Sequence, residues 1–339
     1  MRPMSDIAPG IVFGMLDGMV EHLFGAGQRE RLARCGRILD PTPLASWDDP
    51  RADALLAEAE ILVGHWGCPT LTAAVLDRAP NLRLFAYGAG TVKWQVTDAV
   101  FERGVVVTSA AAANAVPVAE YSVAAILFAN KGVFLVRELL RDPTALVPLD
   151  LSRVGNRGAR VGIVGASIIG RLVIDALART DLEVAVYDPY LSVDEAAALG
   201  VEKVDDLTER CSSVRVLSVH APDIPPTRGM IGAEQLAALP DGATFVNTAR
   251  PALVDQDALL RELQAGRIAA VLDVAEPDPL PADHPLLALP NVFATPHVAG
   301  AMGNELRRLS ELAVTEVERF VAGEPPLHSI RAEDLDRIA

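Results

Sequence analysis

The chain has 339 residues, of which 50% are hydrophobic and 22% charged, a composition that supports large buried cores and excludes a mostly disordered protein. Its formal net charge of −15 disfavours binding to nucleic-acid phosphates or to an anionic membrane surface. The three cysteines, Cys35, Cys68 and Cys211, are scattered and form no CxxC pair. They exclude a disulfide scaffold and favour a cytoplasmic protein.

No segment is expected to cross a membrane. The charge-free stretch 104–119 contains Ser109, Asn114 and Pro117 and is closed by Glu120, whereas a spanning helix needs about 20 mostly apolar residues. The apolar segment 7–16 resembles the core of a signal peptide, but an aspartate precedes it and no clean small-residue cleavage site follows. We interpret this segment as a buried strand.

The first 140 residues alternate short β-branched runs with stretches of helical composition. Strands are predicted at 11–13, 61–63, 82–85 and 105–107, and helices at 51–60, 71–78, 97–103 and about 118–140. This alternation is typical of βα units that build a parallel sheet covered on both faces.

A second alternation begins at Arg160, after Asp142-Pro143 and the glycine-containing segment 155–158 have interrupted the chain. Its strands are predicted at 160–164, 183–187, 214–219, 244–247, 269–273 and 292–294, and a last apolar-periodic helix at about 305–321. The whole pattern predicts an α/β protein with two Rossmann-like, doubly wound domains that contain parallel sheets.

Residues 161–170, VGIVGASIIG, form a predicted strand that enters a glycine turn, with a helix expected from about Arg171. A GxGxxG fingerprint uses its glycines for the tight turn, for close approach to a pyrophosphate and for helix–strand packing. Gly165 and Gly170 occupy the first and third of these positions, and Ser167 replaces the second glycine. A serine hydroxyl is able to hydrogen-bond phosphate, so a dinucleotide site is compatible with this change.

Asp188 ends the next predicted strand, 18 residues after Gly170. A carboxylate at this place accepts hydrogen bonds from the ribose hydroxyls of an adenosine and repels a 2′-phosphate. We therefore predict that the cofactor is NAD(H).

Three later segments resemble, in the right order, the motifs of the D-isomer-specific 2-hydroxyacid dehydrogenase family. They read FVNTARPALVD at 245–255, AVLDVAEPDPL at 270–280 and ATPHVAG at 294–300. The resemblance covers nearly the whole chain, strongly from about 110 to 326 and weakly before 82.

The resemblance implies the roles of four residues. Arg250 binds the carboxylate and carbonyl of a 2-oxo acid through its planar fork, and His297 is the acid/base that protonates the new alkoxide. Asp278 supports His297, although Glu276 is a longer carboxylate close by, and the choice between them stays open. Asp273 is expected to hydrogen-bond the nicotinamide carboxamide.

The same resemblance implies the remaining binding residues. The cofactor-binding set is Gly165, Ser167, Ile168, Ile169, Gly170, Asp188, Thr248, Ala249, Arg250, Asp273, His297 and Gly300. In the first domain, backbone N–H groups of Ala89 and Gly90 are expected to bind the substrate carboxylate, and Trp66 to face the substrate side chain. No metal site is expected, because His65 and Cys68 lack further ligands.

This sequence departs from the family pattern at four places. Ser167 replaces a glycine, and Ile168 stands where many relatives carry arginine. Pro251 follows the catalytic arginine in place of glycine, and Asp278 is one methylene shorter than the usual glutamate. None of these changes removes a reacting group.

The resemblance implies a discontinuous substrate domain, residues 1–126 and 303–339, and a NAD-binding domain, residues 127–302, with the active site in the cleft between them. It implies NAD(H)-dependent interconversion of a 2-oxo acid and an (R)-2-hydroxy acid, and a homodimer. One alternative is a formate- or phosphite-type dehydrogenase, against which Asp278 argues because the formate type usually has glutamine there. The other alternative is a non-enzymatic, NADH-sensing protein of the corepressor type.

Overall fold

The computed structural model describes residues 8–140, 154–335 and 338 of the chain. They form two compact units, one of residues 8–114 with 301–335 and 338, and one of residues 115–140 with 154–300. Each unit contains one sheet of mostly parallel strands with helices between them. The predicted α/β class with two Rossmann-like sheets is confirmed.

The first unit contains a six-stranded sheet, of which five strands are parallel and the last is antiparallel. Its first five strands are β1 (Gly10–Gly14), β2 (Arg37–Ile38), β3 (Ala59–Gly64), β4 (Leu84–Tyr87) and β5 (Val106–Ser109). Its helices before the second unit are α1 (Met19–Leu23), α2 (Ala26–Cys35), α3 (Ala52–Glu58), α4 (Ala73–Arg78) and α5 (Asp98–Glu102).

The second unit contains a seven-stranded, fully parallel sheet. Its strands are β6 (Arg160–Val164), β7 (Glu183–Tyr187), β8 (Glu202–Val204), β9 (Val216–Val219), β10 (Thr244–Asn247), β11 (Ala269–Leu272) and β12 (Val292–Ala294). The helices from the junction onward are α6 (Ala111–Asn130), α7 (Val133–Val136), α8 (Ile168–Leu177), α9 (Val193–Ala198), α10 (Leu207–Ser212), α11 (Ala233–Ala238) and α12 (Gln256–Gln264). The strand order is β12-β11-β10-β9-β6-β7-β8.

The central strands of each sheet are buried on both faces, as expected for parallel sheets between helices. Successive side chains of a strand point to opposite faces, and along β10 Phe245 packs in one core of the second unit while Val246 packs in the other. In the first unit, Leu62 and Val63 of β3 likewise pack in two different cores, one on each face of the sheet. These alternating contacts explain why the strands read as continuous apolar runs in the sequence.

The chain returns to the first unit after residue 300. Helix α13 (Leu306–Val321) packs on α2, where the Arg31 guanidinium forms an ion pair with Glu318 at 2.7 Å and another with Glu311. Strand β13 (Ser329–Ile330) then pairs antiparallel with β5, which completes the sheet order β13-β5-β4-β3-β1-β2. The buried carboxylate of Glu316 accepts the N–H groups of residues 327 and 328, which fixes the approach to β13.

The predicted helix at 118–140 is wrong at both ends. Helix α6 begins at Ala111, whose N–H donates to the Ser109 hydroxyl at 3.0 Å, and it continues through Pro117. It ends at Asn130 because Gly132 adopts a left-handed φ of +66°, after which α7 and a short 3₁₀ turn follow. Residues 142–143, predicted to interrupt the chain, lie outside the described residues.

Helix α6 is, within the described residues, the single helix long and apolar enough to cross a membrane by length and composition, with a mean hydropathy of 1.4 over its best window. Core helices of soluble proteins pass the same test. Its residue Ala113 packs in a core of the first unit, and Ala125 and Ile126 pack in a core of the second. One such helix is therefore weak evidence for a membrane span.

The chain passes from the first unit to the second between residues 114 and 115, and back between residues 300 and 301. The predicted domain boundaries are 126/127 and 302/303. Helix α6 runs through both 114/115 and 126/127 without a break. Because no loop or glycine separates the units there, the sequence carries no signal for the position of the change.

We expect Gly170→Ala to lower the thermal unfolding midpoint, because a Cβ at this position of α8 would collide with the backbone carbonyl oxygen of Gly165. Overpacking of this kind costs about 1–3 kcal/mol. Gly27→Ala in α2 is the matched control, since a Cβ there meets no atom within 4 Å and alanine favours a helix by up to about 1 kcal/mol. Equal midpoints for the two variants would contradict the expected close packing.

Candidate active site

The predicted site residues of the second unit follow the carboxyl ends of five strands, and His220 follows the end of a sixth strand, β9, that lies among them. In a parallel sheet these ends lie along one edge, where α/β proteins bind their ligands. The glycine turn follows β6, Asp188 follows β7 and His220 follows β9. Arg250, Asp273 and His297 lie in the segments that follow β10, β11 and β12.

Both remaining glycines of the fingerprint are required by the local structure. Gly165 has φ +97°, and a Cβ there would lie 2.7 Å from the backbone nitrogen of Ala221. Gly170 lets α8 approach the Gly165 carbonyl directly. The turn therefore brings the first turn of α8 to the end of β6, and a helix N-terminus placed in this way favours an anionic pyrophosphate.

Ser167 is the N-cap of α8, which begins at Ile168 and not near Arg171 as predicted. The Ser167 hydroxyl accepts the N–H of Gly170 at 3.3 Å and donates its proton to the carbonyl oxygen of His220 at 2.8 Å. The one hydroxyl proton is thus used within the protein. This geometry gives the serine a structural reason to replace glycine, and its expected contact with phosphate stays a prediction.

Asp188 is held against the glycine turn. Its Oδ2 accepts the N–H of Ala166 at 2.7 Å, and its Oδ1 accepts the N–H of Tyr190 at 2.8 Å. Each carboxylate oxygen retains a further lone pair. Asp188 is therefore fixed in position and still able to accept hydrogen bonds from two ribose hydroxyls.

His297 and Asp278 are in direct contact, with 2.6 Å between His297 Nδ1 and Asp278 Oδ2. The imidazole is half exposed, and Nε2 is left to face a reactant because Nδ1 is occupied. Glu276 is exposed, and among the described residues its carboxylate forms no hydrogen bond or ion pair, while its backbone N–H donates to Gln256. In this structure the shorter carboxylate is the one that reaches the histidine.

The loop that carries His297 is fixed by the buried Asp273. The Asp273 carboxylate accepts the Thr295 hydroxyl at 2.7 Å and the N–H groups of Val298 and Ala299 at 2.8 Å each. Its backbone carbonyl accepts the N–H of His297 at 2.9 Å. Asp273 thus orients the loop of His297, and its expected bond to a nicotinamide carboxamide stays a prediction.

His297 has φ +56°, and within the described residues no other non-glycine residue has a positive φ. This left-handed conformation is uncommon for a side chain of this size and marks a functional constraint. The hydrogen bonds to Asp273 on either side of His297 compensate for the backbone strain.

Arg250 is positioned by Asn247, the last residue of β10. The Asn247 side chain donates to the Arg250 carbonyl and accepts the N–H of Ala249, both at 3.0 Å. Burial lowers the pKa of Arg250, and the nearby carboxylates of Asp223 and Asp278 oppose this shift. The Arg250 guanidinium is thus close enough to the Asp278 carboxylate of the His297–Asp278 pair for the two charges to attract each other.

Two residues of α6 belong to this network but were not predicted. Tyr121 Oη lies 2.6 Å from the Thr295 hydroxyl, and because the Thr295 proton goes to Asp273, Tyr121 is the donor. Burial raises the pKa of Tyr121, so the phenol keeps its proton. The Ser122 hydroxyl lies 2.8 Å from that of Thr248. Each contact joins residues more than 120 positions apart in the sequence, so no local sequence pattern predicts either of them.

His220 is buried beside the glycine turn, and its Nε2 lies 2.9 Å from the Ser218 hydroxyl. Burial lowers the pKa of His220 to about 4. The imidazole is therefore neutral near pH 7. Among the described residues no group of three or more His, Cys, Asp or Glu is arranged to hold a metal ion.

In the first unit, Ala89 and Gly90 form the turn after β4. The Ser109 hydroxyl donates to the Gly90 carbonyl at 2.6 Å, and neither the Ala89 N–H nor the Gly90 N–H has an acceptor among the described residues. Unpaired backbone N–H groups are rare inside proteins, so this turn is suited to bind a carboxylate. Trp66 follows β3 and is 39% exposed.

Residues 123–299 match the family model "D-isomer specific 2-hydroxyacid dehydrogenase, NAD binding domain". A D-3-phosphoglycerate dehydrogenase of Methanocaldococcus jannaschii is 31% identical over 79% of this chain and 51% of its own length. A glyoxylate reductase of Thermofilum pendens is 30% identical over 78% of this chain and 79% of its own length. The chain thus spans about half of the phosphoglycerate dehydrogenase and most of the glyoxylate reductase.

A phosphoglycerate oxidoreductase from Rhizobium etli has a similar solved structure. It superposes with a TM-score of 0.77 at 25% identity, and the match covers 96% of this chain and 98% of that one. The similarity therefore includes both units, and not the NAD-binding part alone.

We expect Ser167→Ala to lower the free energy of unfolding of the second unit by about 1 kcal/mol, because it removes the N-cap of α8. Ser167→Gly should cost only a few tenths of a kcal/mol, since glycine is tolerated at N-caps. Denaturant unfolding followed by far-UV circular dichroism measures the difference. Equal losses for both variants would contradict the capping role of the hydroxyl.

Proposed function

Because the chain belongs to the D-isomer-specific 2-hydroxyacid dehydrogenase family and contains its NAD-binding domain, we propose that it interconverts a 2-oxo acid and the (R)-2-hydroxy acid with NAD(H). The observation that carries this proposal is the 2.6 Å contact of His297 with Asp278. It provides an oriented acid/base next to a partly buried arginine at the carboxyl ends of the strands.

NADH, held at the glycine turn after β6 and at Asp188, would supply the hydride for the ketone carbon. His297 then donates the proton from Nε2 to the oxygen of that carbon, since Nδ1 is held by Asp278. In the reverse direction the same nitrogen accepts the hydroxyl proton. Asp278 fixes the ring so that Nε2 faces the reactant, as a carboxylate orients histidine in other acid/base pairs.

Arg250 binds the substrate carboxylate and polarises the ketone. A guanidinium offers two parallel donors that match a carboxylate and keeps its charge at neutral pH. Its partial burial strengthens this attraction, because little water remains to screen it. In the first unit, the unpaired N–H groups of Ala89 and Gly90 are proposed to bind the same carboxylate, and Trp66 to contact the substrate side chain.

Cofactor binding is assigned to the edge formed by the glycine turn and the later loops. Gly165, Gly170 and the first turn of α8, including Ser167, Ile168 and Ile169, are proposed to approach the pyrophosphate. The remaining contacts are assigned to the ends of the other strands, at Asp188, Thr248, Ala249, Arg250, Asp273, His297 and Gly300. Ile168 is exposed and apolar, so this turn lacks the countercharge that many relatives place there.

A homodimer and a cytoplasmic location are part of the proposal. A large contiguous apolar patch on a surface marks a contact between subunits, and we propose that Phe128 and Leu140 of the second unit, exposed at 52% and 90%, belong to one. The three cysteines are free and buried, which is compatible with a reducing compartment.

We expect Asp278→Asn to lower kcat/KM for reduction of a 2-oxo acid by about 10²-fold, because general acid catalysis contributes about 10²–10⁴-fold. NADH oxidation followed at 340 nm measures it. Glu276→Gln is the matched control, and we expect it to leave kcat/KM within about twofold of the wild type, because the Glu276 carboxylate has no partner among the residues that the structure describes.

The opposite result, a loss confined to Glu276→Gln, would show that Glu276 supports His297 during turnover. NADH binding without turnover of any 2-oxo acid would favour an NADH-sensing protein instead of an enzyme. Calorimetric titration of the wild type with NADH separates that outcome from a failure to bind the cofactor.

We expect kcat/KM with NADH to exceed that with NADPH by at least about 10²-fold, because a carboxylate facing a phosphate costs several kcal/mol. Asp188→Ala should reduce this ratio toward one. Asp194→Ala, which removes an exposed carboxylate from the first turn of α9, should leave the ratio unchanged. Equal efficiency of the wild type with both cofactors would contradict the assignment of Asp188.

A further inference from the structure

The carboxyl edge of the first unit's sheet carries three loops, which follow β1, β3 and β4. Because β1, β3 and β4 are parallel neighbours, these loops start at one edge, where ligands bind in α/β proteins. The turn with Ala89 and Gly90, proposed above to bind the substrate carboxylate, belongs to the third loop. The first two loops are thus placed beside it.

Two large apolar side chains lie together on the first two loops. Leu16 donates its backbone N–H to the carbonyl of Trp66 at 3.0 Å, and the Leu16 side chain covers Gly67, where a Cβ would collide with it. Leu16 is 51% exposed and Trp66 is 39% exposed. Two exposed apolar side chains on loops that are joined by this hydrogen bond, at a ligand-binding edge, form a surface suited to an apolar ligand group.

His65 fixes the orientation of Trp66 and adds no charge. Its Nδ1 accepts the backbone N–H of Trp66 at 2.8 Å, and the two rings meet edge to face at 4.6 Å between centroids. Burial lowers the pKa of His65 to about 3. The imidazole is therefore neutral near pH 7 and offers no attraction to an anionic side chain.

The three loops, residues 14–18, 64–70 and 87–96, contain one acidic residue, Asp17, and one basic residue, Lys93. Sites for phosphate groups use arginine forks or several cations to offset the cost of desolvating a dianion. A single lysine, offset by an aspartate, does not provide that. The chemistry of this edge therefore favours an uncharged group.

We propose that Leu16 and Trp66 bind the side chain of the 2-oxo acid and select an uncharged apolar or aromatic side chain. An indole offers a broad face on which an aromatic ring packs well. This inference rests on the proposed function and specifies its substrate class. Trp66 is the specificity-determining residue.

The test compares three substrates in the NADH-coupled assay: phenylpyruvate, glyoxylate and 3-phosphohydroxypyruvate. The wild type should have a kcat/KM for phenylpyruvate at least about tenfold above that for 3-phosphohydroxypyruvate. Trp66→Ala should lower kcat/KM for phenylpyruvate about tenfold or more, since losing one apolar contact surface changes discrimination by about 10–200-fold. Its kcat/KM for glyoxylate, which has no side chain, should change less than about threefold.

Trp94→Ala is the matched control, because Trp94 is 76% exposed on the third loop and is not assigned to the apolar surface. It should leave both activities within about threefold, as surface substitutions usually do. Trp66→Arg provides a second variant and should shift the preference toward 3-phosphohydroxypyruvate. The change in preference would be independent of any general loss of stability.

Three outcomes would overturn the inference. A wild-type preference for 3-phosphohydroxypyruvate that disappears in Lys93→Ala would assign the edge to a phosphorylated substrate. Equal losses on phenylpyruvate and glyoxylate in Trp66→Ala would reduce Trp66 to a structural residue. No turnover of any of the three substrates would overturn the proposed function itself, and the glyoxylate measurement distinguishes that case from the first two.

Discussion

The candidate site depends on one buried carboxyl group at the end of β11. Asp273 ties the segment after β12 to the segment after β11, because its side chain and its carbonyl together receive four hydrogen bonds from residues 295–299. These bonds hold His297 in a left-handed conformation that an isolated peptide would leave. The imidazole therefore meets Asp278 through a backbone that is already fixed, and Tyr121 supports the same network through Thr295. The conformation of the loop that contains His297 is thus fixed by residues from several distant parts of the chain.

Much of the fold was predictable, since buried parallel strands read as apolar runs and the helices between them carry periodic patterns. The short edge strands β2, β8 and β13 were not predicted, because two or three residues carry no periodicity and pair only where a neighbouring strand offers an edge. The start of α8 was placed too late because the capping role of Ser167 follows from contacts with His220 and Gly170. Helix α6 differs at both ends, since its start depends on the Ser109 hydroxyl.

Some residues of the candidate site are predictable from local sequence motifs, and others are brought to it only by the fold. Arg250, Asp278 and His297 were predicted from motifs, because the chemistry of a reacting group restricts the residue type at a fixed position of the motif. Tyr121 and Ser122 carry no such mark, since hydroxyl groups on a helix are common and only the fold brings them to Thr295 and Thr248. The choice between Asp278 and Glu276 also needed coordinates, because side-chain length alone favours the residue that the structure leaves unpaired.

The return of the chain to the first unit has a consequence for the order of folding during synthesis. All residues of the second unit, 115–300, leave the ribosome before α13 and β13 are made. The second unit is then able to fold while the first lacks a helix of its core and the strand that covers β5. An open edge strand is a template for pairing with other chains. Until residues 329–330 emerge, the nascent first unit is therefore the part of the protein with most need of a chaperone.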